Sequence, residues 1–266
     1  MSRTFFARQT ALVTGASSGI GAALAVELAR CGARVAVLAR RLDRLESVCA
    51  TIRAEGGEAI PLACDVRDRA ALDAAVKETV AQFGHLDIAI ANAGFGVAGP
   101  VDELSTGDFR RQFETNFFGA VDTFYAVWPQ LKESHGRFAA VASVSGRMGS
   151  PATSAYSASK FALVGFAESA YYDCLAHGVS VTCINPGFTE SEIRSVNNAG
   201  DYVGTPDPVP GFLVMSAEKA ARQSVRALYR RRPEIVLSQH GKWLVRLARH
   251  TPRLLRAVLS LGVRRG

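Results

Sequence analysis

The stretch TALVTGASSGIG, Thr10 to Gly21, decides how the rest of the chain is read. Thr10 to Thr14 is a short run suited to a buried strand. Gly15 to Gly21 follows with glycines in the order G-x-x-x-G-x-G, and AALAVELARCG then carries apolar residues at helical spacing up to Gly32, a C-cap. Glycines let a backbone turn tightly and approach a pyrophosphate, whose charge is met by amide N–H groups and a helix N-terminus. A glycine cluster alone says little, since such turns are common. Between a strand and a helix it is the setting of a dinucleotide phosphate loop.

Downstream the pattern repeats. Arg34–Leu38, Ala59–Ala63, Leu86–Ala91, Arg137–Ala142 and Val179–Ile184 read as strands, with amphipathic stretches between them. Alternating strands and helices predict an α/β fold, a doubly wound, mostly parallel sheet with helices on both faces and right-handed crossovers. In such sheets ligands gather at the carboxyl edge. Gly15 to Gly21, Arg40, Asp65, Asn92 to Gly94, Ser143 and Pro186-Gly187 all fall at carboxyl ends of these strands.

Several of these positions carry a choice. Ala39-Arg40-Arg41 ends the second strand with no acid before Asp43. An acid there would accept from a free ribose 2′-hydroxyl, whereas arginine pairs with a 2′-phosphate, so NADP(H) is favoured and NAD(H) remains possible. Alternatively the two arginines start a solvated helix. Asp65 suits either an adenine amino group or a helix N-cap. Asn92-Ala93-Gly94 suits a ligand-facing or a purely structural turn. Asn116, among aromatics in TNFFGAVDTFYAVW, must find partners, at a kink or with a water.

Tyr156 and Lys160 lie four apart, hence on one helix face. A cation near a phenol favours the phenolate and lowers its pKa, which makes the pair an acid/base device. The same spacing also occurs on ordinary surface helices.

Taken together, Thr14-Gly15-Ala16-Ser17-Ser18-Gly19-Ile20-Gly21, Asp65-Val66, Asn92-Ala93-Gly94, Asn116, Ser143 thirteen residues before Tyr156, Y-x-x-x-K and Pro186-Gly187 occur in an order that resembles the short-chain dehydrogenase/reductase family, in its single-domain branch. The resemblance spans roughly residues 8 to 235. It implies that Tyr156 exchanges a proton with the substrate oxygen while hydride moves to or from a nicotinamide. It further implies that Lys160 holds the nicotinamide ribose and lowers the Tyr156 pKa, that Ser143 hydrogen-bonds the substrate oxygen, and that Asn116 anchors a relay water. The family often has Thr five residues after the proline of P-G; here that position is Ser191, with Thr189 nearby, and either fits the nicotinamide carboxamide. The implied activity interconverts a carbonyl and a secondary alcohol. The rival reading is a catalytically silent NADP(H)-binding sensor or scaffold, or a basic-tail binding protein.

With 266 residues and 48% apolar content, one large core is expected. The five cysteines are odd in number and scattered, unlike a disulfide or metal framework, which suits a reducing cytosol. Neither a signal peptide nor a membrane span is expected. Domain organisation reads as residues 1–235 for the catalytic domain, with 188–215 as an irregular substrate lid, and 236–266 as a basic amphipathic tail. Phe95, Val97, Phe188, Ile193, Val196, Tyr202, Phe212 and Leu213 would make the pocket apolar, matching a steroid, retinoid or fatty acyl type of substrate. From Lys219 onward 13 Lys/Arg face one acid, +12, so with +7 overall the first 218 residues carry −5. No specific nucleic-acid reading module is present, and arginines alone attach unspecifically. Lys242, Arg246, Arg249, Arg253 and Arg256 form a helical stripe, with Pro252 splitting it and Thr251 a possible N-cap. Such helices can lie on an anionic membrane, or close over the pocket or a subunit contact. A homodimer or homotetramer through 101–131 and 156–176 is implied by the resemblance.

Overall fold

A computed structural model describes residues 4–195, 197–199, 203–204 and 209–263. Seven strands form one parallel sheet: β1 (Thr10–Thr14), β2 (Arg34–Ala39), β3 (Ala59–Ala63), β4 (Ile88–Ala91), β5 (Arg137–Val141), β6 (Ser180–Asn185) and β7 (Glu234–Val236). Their order is β3-β2-β1-β4-β5-β6-β7, so the chain reverses its direction of winding between β1 and β4. At that reversal the crossovers leave on opposite faces, and a crevice opens at the carboxyl ends.

Period-two alternation builds two cores. Ala11, Val13, Val35, Val37, Ile88 and Ile90 face one side, where α1 (Gly19–Arg30), α2 (Leu42–Ala54) and α7 (Ala217–Tyr229) cover them. Leu12, Ala36, Leu38, Ala89, Ala91 and Phe138 face the other, under α3 (Arg69–Phe83), α5 (Gly119–Ser134) and α6 (Ser154–Leu175). The short α4 (Thr106–Phe113) is held by a reciprocal capping box between Ser105 and Asp108.

Two sequence expectations are corrected. The strand β7 was not foreseen: three residues after Pro233 give too short a pattern. It pairs Ile235 with Ile184 and Val236 with Asn185, so the boundary drawn at residue 235 falls inside it. The cap of α3 is Asp68, whose carboxylate accepts from the Ala71 N–H, and not Asp65. Thr251 stands at the N-cap position of the last helix, its carbonyl accepting the Leu255 N–H, while its hydroxyl donates back to the Leu247 carbonyl. The tail does split as expected, into α8 (Gln239–His250) and α9 (Pro252–Val263), with proline at the first helical position. Pro206, Pro208, Gly200, Val196 and Tyr202 lie outside the described residues.

Candidate active site

The glycine loop owes its shape to crowding. A Cβ on Gly15, whose φ is +64°, would stand 2.6 Å from the Ala93 Cα, and one on Gly21 would stand 2.3 Å from the Gly15 carbonyl oxygen. Both contacts are shorter than any side chain tolerates, so β1 and the turn after β4 pack backbone to backbone. Thr14 and Asn92 fasten this arrangement: Thr14 Oγ1 accepts from the N–H groups of Asn92 (3.0 Å) and Ala93 (3.1 Å), while Asn92 Nδ2 donates to the carbonyls of Thr14 and Gly15. The structure therefore places these two side chains as supports of the loop. Gly19 takes φ +53° under Ser191, whose Cβ would lie 3.0 Å from an added methyl. Ser18 precedes α1 without capping it through its side chain. Ile20 is half-buried against the core under this loop. The loop and the first turn of α1 form a cradle that backbone N–H groups line, as a pyrophosphate requires.

At the end of β2, Arg40 is exposed and Arg41 is half-buried. Its Nη2 donates to Ser17 Oγ (3.0 Å), Ser18 Oγ (3.3 Å) and Glu192 Oε2 (2.8 Å). Asp65 is engaged by Arg67, whose guanidinium side-chain hydrogen bonds hold the carboxyl below its usual range; Arg40 adds a weaker pull. Val66 is buried and its side chain fills the space that Gly119 leaves, 2.6 Å from where a Cβ would stand.

Two of the catalytic candidates, Tyr156 and Lys160, lie on α6. Lys160 is 3% exposed, its Nζ donates to the Val141 carbonyl at 2.9 Å, and it lies 5.8 Å from the centre of the Tyr156 ring. Burial drops the Lys160 ammonium to about 8. Gly94 is what allows the approach, because a Cβ there would touch Asn116 Oδ1 at 2.9 Å and lie 3.6 Å from Lys160 Nζ. Tyr156 is half-buried and borders Gly96, as does Ile193. Ser143, at the end of β5, accepts the Ser145 N–H at 3.1 Å and opens a 3₁₀ turn. That turn reaches α6 through Gly146, whose added Cβ would be 2.6 Å from the Lys160 carbonyl. Asn116 sits in a π turn, Glu114–Phe118, between α4 and α5. Its carboxamide brackets Phe95, accepting the N–H and donating to the C=O at 3.0 Å each, and reaches Ser159 Oγ at 3.3 Å.

On the far wall Pro186 accepts the Val144 N–H (2.9 Å). Thr189 is buried with its hydroxyl donating to the Gly187 carbonyl, whereas Ser191 lies over Gly19. Phe188 and Phe212 are exposed, Phe95, Ile193 and Leu213 half-buried, and Val97 is buried. A parallel bridge between Thr189 and Met215 pins the base of the 188–215 segment.

Sequence reasoning missed four contributors. Gln112, fully buried, holds Phe95 and Val97 through their backbones; its spacing of four from Asn116 on a helix was the available signal. Ser159 links Asn116 to α6 and was visible only as part of SASK. Ser238 and His240, from the tail, occupy the place of a Cβ on Gly187, at 2.3 and 2.8 Å. His240 also stacks on Phe188, centroids 5.7 Å apart. No local pattern announces that contact.

The short chain dehydrogenase family model matches residues 9–201, and the chain belongs to that family of oxidoreductases. Among its relatives, an uncharacterized oxidoreductase of Myxococcus xanthus is 41% identical over 191 residues, covering 71% of this chain and 76% of that one. A fatty acyl-CoA reductase of Acinetobacter baylyi is 31% identical over 257 residues, 96% of this chain and 84% of that one. A crystal structure of a short chain dehydrogenase/reductase from Burkholderia phymatum, in complex with NAD, aligns with a TM-score of 0.83 at 25% identity, over 94% and 95% of the two chains.

Proposed function

We propose that this protein is an NADP(H)-dependent oxidoreductase that interconverts a carbonyl and a secondary alcohol on an apolar substrate of steroid, retinoid or fatty acyl type. The observation that carries the reading is Lys160: buried, on the same face of α6 as Tyr156, and close to Gly94 in the turn after β4. NADP(H), when bound, supplies or accepts the hydride. Gly15 to Gly21 and the first turn of α1 would hold its pyrophosphate, and Arg40, Arg41 and Ser17 a 2′-phosphate. Asn92 to Gly94, Pro186-Gly187, Thr189 and Ser191 bound the nicotinamide end.

Tyr156 donates its phenolic proton to the substrate oxygen during reduction and takes it back during oxidation. The Lys160 ammonium favours the phenolate that remains. Because Ser143 Oγ accepts from Ser145, its own O–H is left to donate to the substrate oxygen. Asn116 and Gln112 act through Phe95, fixing the segment that borders Tyr156. The exposed Phe188 and the half-buried Phe95, Ile193 and Leu213 support an apolar ligand. The protein acts in the cytoplasm as a homodimer or homotetramer, with α5 and α6 as the contact.

The test is turnover of apolar carbonyls and alcohols, against sugars and polyols, with NADPH and NADH. Preference for NADPH by about tenfold or more is expected, the worth of one charge-assisted hydrogen bond. Arg40→Asp should narrow or invert it. A wild-type preference for NADH overturns the cofactor reading, and turnover confined to polyols overturns the substrate class.

A further inference from the structure

The last two helices carry a surface that the active site does not use. Residues 236–266 hold seven Lys/Arg and no acid. On α8, Trp243 is 63% exposed and Leu247 36%; on α9, Leu254 is 57% and Val258 56%. Each pair is spaced by four and falls within about 40° on its helix, at 100° per residue. The cations sit to one side of these stripes: Lys242, Arg246 and Arg249 lie about 60–120° around from Trp243, and Arg253 about 100° around from Leu254 in the same sense. Arg246 lies over the Trp243 ring at 5.5 Å. An indole covered by an arginine has one part suited to acyl chains and one suited to headgroups.

We infer that α8 and α9 form a docking surface for anionic lipid bilayers, with Trp243, Leu247, Leu254 and Val258 entering the interface and the arginines pairing with headgroup phosphates and carboxylates. Charge decides among occupants. An isologous contact between two copies would bring like-charged stripes together, whereas an anionic leaflet neutralises them. Among the described residues no helix is long and apolar enough to cross a membrane, so the helices lie in its plane. The opposite side of α8 is already used: Gly241 packs so close to Val144 that a Cβ would stand 2.9 Å from its Cγ2. A docked molecule therefore holds the Ser143 turn and the Pro186-Gly187 loop near the bilayer. The inference rests on the helices alone and stands whether or not the cleft takes an apolar substrate.

The test is sedimentation of the full chain with vesicles of phosphatidylcholine alone or mixed with phosphatidylserine. Binding to the mixed vesicles only, reversed by salt, is expected. Arg246→Glu, Arg249→Glu and Arg253→Glu should each weaken it roughly fivefold or more. Trp243→Phe should abolish a blue shift of fluorescence on the mixed vesicles, with thermal unfolding checking that each variant is folded. Equal sedimentation on both vesicle types, or binding unchanged by the charge reversals, overturns the proposal. So does a loss of oligomer in those variants without lipid, which would make the face a contact between copies.

Discussion

The ammonium of Lys160 is buried against a carbonyl oxygen and not a carboxylate, and this sets both its chemistry and its cost. Its folded pKa of about 8 lies below the ordinary 10.5, so the unfolded chain binds more protons between those values. Stability from this group therefore rises with pH across that window, and the burden, about 3 kcal/mol at full protonation in both states, is present below it. The buried thiols of Cys64 and Cys174, each pushed up to about 11, and of Cys183, pushed up to about 12, act oppositely above their usual range. Subtracting the Lys160→Met unfolding free energies from wild type between pH 7 and 10 isolates the lysine, and wild type minus variant should rise as pH rises. For Tyr156→Phe, kcat is expected to fall about 10²–10⁴-fold, the usual worth of a positioned acid. NADPH affinity, followed by fluorescence titration, should stay within a few-fold. An unchanged kcat would remove the phenol from the mechanism.

At the scale of elements, the start of α8 behaves as a wedge beside the cleft. Ser238 is 2% exposed and caps the helix by accepting the Gly241 N–H at 3.0 Å, and its oxygen fills the space beside Gly187. Gly187→Ala forces the two apart, with an expected loss of about 1–3 kcal/mol from overpacking. Ser238→Ala keeps the space but loses the cap, at about 0.5–2 kcal/mol. Chemical denaturation measures both. If α8 is part of the catalytic unit, Gly187→Ala should also raise the KM for cofactor, while Ser238→Ala should leave it close to wild type. The sequence showed the tail as helical and basic, but its seat on Pro186-Gly187 follows from a sheet that brings β6 and β7 side by side.

Across the whole molecule, several large exposed apolar side chains gather on one side of the sheet. Phe118, Tyr125, Phe161, Tyr172 and Leu175, all on or beside α5 and α6, are 46–71% exposed. Large exposed apolar patches often serve association, and the homodimer or homotetramer proposed above would cover this one. Phe161→Glu, which puts a charge there without touching the Tyr156 side of α6, should convert a dimer or tetramer to a smaller species in analytical ultracentrifugation. A wild-type monomer would remove the need for this surface.

Periodicity and order of motifs determined the parallel sheet, the glycine loop, and the pairing of Tyr156 with Lys160, because each depends on spacing within a few residues. Only the tertiary structure decided that Thr14 and Asn92 brace the loop, that Asp65 is held by Arg67, that Arg41 reaches the loop beside Arg40, and that Gln112 shares the work of Asn116. Those contacts, Asp65 with Arg67 apart, join residues 15 to nearly 80 positions apart or use a carboxamide whose partner is a backbone group on another element. A side chain's type states what bonds it can make; which group comes within 3 Å of it depends on how the sheet folds the chain back on itself.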